Sequence, residues 1–303
     1  MSQYLNLKPV EYSNLSAKAQ VAIEWDGRYL LPKWDGCMVL VGFHDGKPDF
    51  ILSRDGKPVR SMDHIYAALV QRWPAILTST GGVCFIGEAW IPDAAFKDIS
   101  GVFRRHSPQL ALAIKVFDVV NYSSVQAMQP MLESAWPYSK RIAWLQHHAV
   151  DSVNSNAFCP YPTICQGADH AVQYAKTLKA LGGYDGCVAS DPYATYTPGS
   201  GSNGEFLKVK PLQSFTLEVT GVAASTGEKT GRVTAVLHVR FKQGVCGVGT
   251  GFTNEDAAKW VAAPASVMGR LIEVECMGVY DGPFGMMREP RFVGFRHDAK
   301  ADY

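Results

Sequence analysis

Lys33 and Asp35 stand two residues apart in the stretch LLPKWDGCMVL (30–40), between apolar runs. A cation in such a setting is costly unless it is solvated or compensated. One reading is a surface turn, with Pro32 and Gly36 setting the chain direction. The other is a nucleophile. A lysine amine attacks only after losing its proton, against an ordinary pKa of about 10.4, and burial or neighbouring cations favour that loss. Taken alone, Lys-x-Asp-Gly is a common tetrapeptide and reads as a surface turn rather than a nucleophile.

Four further residues share a chemistry with Lys33. Glu88 is a single carboxylate inside the apolar run FIGEAWI, and Asp185 precedes a short strand in GYDGCVASDP. Lys208 and Lys210, in FLKVKP, are at strand spacing and so point to one face. Separately these are a paired core or edge carboxylate, a turn residue and a solvated strand face. Together, two carboxylates can hold a divalent cation that prefers hard oxygen ligands. Several lysines can clamp phosphates, and one lysine among them can attack phosphorus.

The elements needed to bring these residues together are legible in part. VAIEW, GRYLLPKW, CMVLVGFHDG and DFILSRDG alternate apolar runs with Asp-Gly turns, which predicts antiparallel hairpins over the first 60 residues. Helical spacing predicts a helix in SMDHIYAALVQRW capped by Ser61. A second is expected in PYSKRIAWLQHHAV capped by Ser139, and a third in DHAVQYAKTLKALGG stopped by Gly182 and Gly183. VCFIGEAWI, LAIKVFDVV, GCVAS and GEFLKVKP read as strands between them, and the mixture suggests α+β rather than alternating βαβ. After Pro211 the texture changes. Five short strand candidates follow, with one helix, residues 254–262, between the third and fourth, opened by the capping-box sequence Thr253-Asn-Glu-Asp256. That order predicts a small OB-type β-barrel. The expected division is 1–212 and 213–303.

Composition narrows the class. Of 303 residues, 47% are apolar and 19% charged, which suits a globular protein with a full core. The apolar runs are too short to span a bilayer, and the N-terminal stretch lacks the basic start and apolar core of a signal peptide. Seven cysteines without a Cys-x-x-Cys pair argue against structural zinc and a disulfide framework, and for a reducing cytoplasm (the host cell's, were the protein viral). The net charge of +1 leaves no broad basic footprint, and from Ser214 onward ten Lys/Arg face ten Asp/Glu. A nucleic-acid partner would therefore need a locally basic groove.

Seven motifs in order carry a resemblance: KWDG (33–36), SRDG (53–56), GEAW (87–90), KVFDVV (115–120), DGCVASDP (185–192), LKVKP (207–211) and REPRFVGFRHD (288–298). The series resembles the covalent nucleotidyltransferases, the superfamily of polynucleotide ligases and mRNA capping enzymes. The last motif, with Arg288, Pro290, Phe292, Arg296 and Asp298, is most similar to that of small phage-type ATP-dependent DNA ligases. PYSKRIAWL also resembles a Pro-Tyr-x-x-Arg segment of these enzymes. The resemblance implies a nucleotidyltransferase domain of antiparallel sheets and helices followed by an OB-fold domain. It implies a monomer that uses ATP and Mg²⁺ on nicked duplex DNA, with no membrane partner. Lys33 would carry AMP, and Asp35 would orient the site. Arg54 would contact the ribose and the nick phosphate, Glu88 the ribose hydroxyl and the metal, and Phe117 would stack on adenine. Asp185 would bind Mg²⁺, and Lys208 and Lys210 the α-phosphate. Arg288, Arg296 and Asp298 would orient the β- and γ-phosphates.

The sequence departs from the family at four positions. Leu31 stands where a glutamate often reads the adenine, and Met38 where an arginine often contacts phosphate. Asp185 replaces a glutamate and Ser190 a lysine. An RNA ligase or capping-type guanylyltransferase shares the early motifs. A nucleic-acid-binding homologue with a decayed enzyme domain would keep the fold but lose the lysines.

Overall fold

A computed structural model describes residues 7–12, 15, 17–126, 129–150, 156–200, 204–226, 233–276, 278–279, 286–297 and 300–303. The chain divides into two compact units, Met1–Lys210 and Pro211–Tyr303.

The first unit holds two larger sheets. One runs in the order Lys47–Ser53, Cys37–His44, Gly82–Trp90, Ala113–Gln126, Gln129–Glu133, all antiparallel, with Ala157–Phe158 joining Ala113–Gln126 in parallel. Strand alternation gives this sheet two apolar faces. Val39, Val41, Phe43, Phe85, Ala89, Ile114 and Val116 face one core with Ile65 and Leu69, Ile99 and Phe103, and Ile142 and Leu145. Those pairs come from the helices Ile65–Arg72, Phe96–Phe103 and Tyr138–His147. Leu40, Leu52, Cys84, Ile86 and Val120 build a second core on the opposite face, against which Met38 and Phe117 pack.

The other sheet has the order Thr163–Ile164, Tyr29–Trp34, Tyr184–Ser190, Phe206–Val209, Val10–Glu11. Leu30, Cys187, Ala189, Leu207 and Val209 lie against Ala171, Ala175 and Leu178 of the helix Ala168–Leu181. Since Leu207 and Val209 face that helix, Lys208 between them is turned to the other face. The helix stops at Gly182, as its sequence predicts.

Two expected caps are not caps. The helix expected to start at Ser61 begins at Ile65, four residues later, and the buried Ser61 hydroxyl instead donates to the Phe103 carbonyl at 2.7 Å. The helix Tyr138–His147 has Pro137 at its N-cap, and Ser139 lies inside its first turn with its backbone N–H on Pro192 O at 2.9 Å. Ser61 gives its hydroxyl to a tertiary carbonyl, and Ser139 falls inside the helix because the chain turns in earlier, at Pro137.

In the second unit the five expected strands are Gln213–Thr226, Val233–Phe241, Gly244–Val248, Leu271–Cys276 and Arg291–Arg296. The helix Asn254–Ala262 opens with a complete Thr253/Asp256 capping box. Numbered along the unit, the strands pair in the order 3-2-1-4-5. The sheet is an open path among the described residues and not the closed ladder of a barrel. A single backbone bond from Phe292 N to Thr250 O, 2.9 Å, links the start of the fifth strand to the segment after the third. Phe292, Phe252, Trp260 and Phe295 meet edge to face around this point. All seven cysteines are free thiols. Among the described residues no helix is long and apolar enough to cross a membrane.

Candidate active site

Lys33 lies near the end of the strand Tyr29–Trp34, on the face of the second sheet turned away from the helix Ala168–Leu181. Its Nζ donates to Asp185 Oδ2 at 2.9 Å, and Lys210 Nζ reaches the same oxygen at 3.2 Å and Glu11 Oε1 at 3.5 Å. Asp185 is 6% exposed. Burial alone would push its carboxyl up, but the two ammonium groups hold it below the ordinary carboxylate range. Lys208 is pushed the other way: burial lowers its pKa, and the neighbouring charges of Lys33, Lys210 and Arg54 lower it further against the pull of Glu11.

Two glycines let these strands come close enough. Gly186, at φ +122°, follows Asp185 where the register shifts, and a Cβ there would run into the Val209 carbonyl and stand 3.1 Å from Lys210 Cα. A Cβ on Gly36 would run into the Ala89 carbonyl and stand 2.9 Å from Glu88 Cγ. We therefore expect Gly36→Ala to displace Glu88 and to destabilise the first unit by about 1–3 kcal/mol. Urea midpoints check this, and an unchanged midpoint would reject it.

Glu88 is set on the first sheet, opposite Met38 and opposite Lys115 in the flanking strands. Burial pushes its carboxyl up to about 7, against the charge of Lys33 and a hydrogen bond from the Gly36 backbone. A carboxyl raised above its unfolded value binds more protons in the folded chain. Its stabilising contribution is full below pH 4.5 and is lost as pH rises through about 7. Urea midpoints should accordingly fall between pH 5 and pH 8 by more in the native chain than in Glu88→Gln. Superimposable profiles would sink the assignment.

The remaining residues named from the sequence divide by unit. Asp35 is held through its backbone N–H on Gly183 O, 3.2 Å. Arg54 is well exposed in its turn. Phe117 sits at the register shift between Gly82–Trp90 and Ala113–Gln126, the kind of bulge that re-aims a side chain. In the second unit Arg288 lies in the short strand Met287–Arg288, and Arg296 pairs with Glu273 at 3.4 Å. Asp298 lies outside the described residues. Leu31 is buried in the core of the first sheet, and Ser190 is buried as well.

Sequence reasoning missed Glu11, whose pairing with Lys210 joins segments 199 residues apart in the chain and has no local signal. It also missed the partner of Arg141. That guanidinium is fully buried and grips Asp118 through Nε at 2.7 Å and Nη2 at 3.0 Å. Its Nη1 donates to Trp136 O and Ala194 O. Asp118 directly follows Phe117, so this clamp fixes the bulge that carries the ring.

No family model matches the chain. Two curated relatives do, both DNA ligases of Halobacterium salinarum strains. Each is 25% identical over 311 residues, covering 91% of this chain and 53% of the relative. The chain thus spans about half the length of these relatives. A solved structure described as Pmar-Lig_PreS3 superposes with a TM-score of 0.70 at 20% identity, over 97% of this chain and 68% of the other. Another, from a structure–function study of Lig E DNA ligases with a minimal scaffold, gives 0.67 at 16% identity over 96% and 98%. The chain is similar in sequence to DNA ligases and, over nearly its whole length, has the fold of solved DNA ligase structures.

Proposed function

We propose that the protein is an ATP-dependent DNA ligase that seals 5′-phosphate/3′-hydroxyl nicks in duplex DNA. The observation that carries this reading is the pairing of Lys33 and Lys210 with Asp185, with Lys208 within electrostatic reach of both lysines and Glu88 within reach of Lys33. Lys33 Nζ attacks the α-phosphorus of ATP. The N–P bond forms as the bond to pyrophosphate breaks, and the amine's proton leaves through Asp185 or solvent. Lys208 and Lys210 neutralise the charge that builds on the α-phosphate. AMP then passes from Lys33 to the 5′-phosphate of the nick, and attack by the adjacent 3′-hydroxyl expels it. Phe117 offers a ring for stacking on adenine, Asp35 orients the site, and Arg54 contributes a ribose and nick-phosphate contact.

The donor set suits Mg²⁺ that keeps water and phosphate oxygens in most of its shell. Asp185 and Glu88 are hard carboxylate donors, and no cluster of three or more His, Cys, Asp or Glu fit to hold a metal occurs among the described residues. Such an ion would offset phosphate charge. In this reading residues 1–212 are the adenylation domain. Residues 213–303 are an OB-type domain, an assignment the 3-2-1-4-5 strand order supports. Arg288, Arg296 and Asp298 act there on the β- and γ-phosphates. The protein works as a monomer in the cytoplasm.

The test is incubation with α-labelled ATP, GTP or NAD, followed by sealing of nicked duplexes built from DNA or RNA strands. A covalent adduct from ATP and joining of DNA are expected. An adduct from GTP, or joining confined to RNA, would overturn the reading in favour of a capping-type enzyme or an RNA ligase. No adduct with any nucleotide would favour a binding protein with a decayed domain.

A further inference from the structure

Lys115 has no role in the site described so far, yet it lies on the same sheet face. Met38, Glu88 and Lys115 are directly opposite one another across three antiparallel strands, and opposed residues share a face. The Lys115 ammonium is held 3.9 Å from the centroid of Phe158 and 4.4 Å from that of Trp90. The register agrees, since Phe158 is the parallel partner of Lys115. Burial lowers the lysine's pKa and no charged neighbour contributes. A half-buried cation between two rings, with no carboxylate in ion-pair range among the described residues, keeps N–H donors for an oxygen acceptor. Phe158 is 41% exposed, so the cage opens to solvent. Trp90 stands beside Gly183, the residue whose carbonyl holds Asp35. The cage is therefore next to the turn at Asp35 that follows the Lys33 strand.

We infer that Lys115, between Trp90 and Phe158, is a phosphate subsite for the backbone of a nucleic-acid strand running past the Lys33 site. The inference rests on the ligase reading above. The nucleotide's own phosphates already have Lys33, Lys208 and Lys210, whereas Lys115 belongs to the other sheet, has no charged neighbour among the described residues and opens outward. A strand backbone extends beyond the reacting phosphate and presents a monoanionic acceptor there. The two rings hold the ammonium in place before the strand arrives, so less side-chain freedom is lost on binding.

The experiment measures binding of the full chain to a nicked DNA duplex across a salt series. Lys115→Met keeps an apolar stem against both rings, and Lys115→Arg keeps the charge. For Lys115→Met the slope of log K against log salt should fall in magnitude by about 1. Lys115→Arg should keep the native slope, and both variants should form the ATP adduct at the native nucleotide dependence. A native slope in Lys115→Met overturns the inference and leaves Lys115 as a cover for Trp90. A changed nucleotide dependence with an unchanged slope overturns it in favour of a nucleotide phosphate. Absence of duplex binding by the unaltered chain would overturn the ligase reading along with it.

Discussion

Lys33→Ala is expected to form no covalent nucleotide adduct and to lower nick sealing at least about 10⁴-fold, because it removes the proposed nucleophile. The side chain lies 24% exposed at the end of a strand and points at Asp185, so its truncation leaves the core untouched. The variant should still fold, with Lys210 left to pair with Asp185. Sealing of a duplex already carrying AMP on its 5′-phosphate should survive better than the full reaction, because that substrate bypasses Lys33. Asp185→Asn is expected to cost about 10²-fold in adduct formation, since it removes the anion that Lys33 and Lys210 share at 2.9 and 3.2 Å. Mass spectrometry of the intact chain after incubation with ATP decides the first point. An adduct persisting in Lys33→Ala would refute the assignment.

Arg141→Ala should destabilise the first unit by about 3–5 kcal/mol, the usual cost of leaving one partner of a buried ion pair alone. At 2–4 °C per kcal/mol for a unit of this size, the thermal midpoint should fall by roughly 10 °C. Asp118 would be left without its cation, the Trp136 carbonyl would lose the Arg141 donor, and the Ala194 carbonyl would keep only the Tyr138 N–H. The double variant Arg141→Met/Asp118→Leu should recover much of that loss, because it removes both charges from the interior. It should still impair nucleotide binding, because the segment after Phe117 is no longer clamped. Denaturant midpoints of the three variants settle this, and a loss below about 1 kcal/mol for Arg141→Ala would contradict the clamp.

The hairpin Cys37–His44/Lys47–Ser53, the helix Ala168–Leu181 with its glycine stop and the capped helix Asn254–Ala262 follow from local rules. Asp-Gly turns, helical periodicity and a Thr-x-x-Asp cap act within a few residues, so the chain announces them. VAIEW, by contrast, reads as a strand but starts at the end of the helix Ala17–Val21, and Tyr29–Trp34 pairs in a different sheet from that hairpin. Ser61 and Ser139 mislead for the complementary reason. Each obeys the local rule for a cap, but the Ser61 hydroxyl bonds the distant Phe103 carbonyl, and the helix at Ser139 begins at Tyr138, where the Tyr138 and Ser139 N–H groups bond Ala194 and Pro192 far along the chain. Barrel closure is likewise non-local. The five strands are readable one by one, whereas their open order depends on pairings between distant segments.

By itself the sequence determined which residue types are available for phosphoryl chemistry, and that Lys208 and Lys210 share one strand face. The period of a strand is a property of the backbone, so that much needs no partner. Tertiary structure alone decided that one carboxylate, Asp185, serves both Lys33 and Lys210, and that Glu11 joins them. It also removed Leu31 from the site into the core and placed the Lys115 cage in the same row as Glu88. Electrostatics and packing act across space between strands far apart in the chain. The charge environment of Lys33 is therefore a product of the fold.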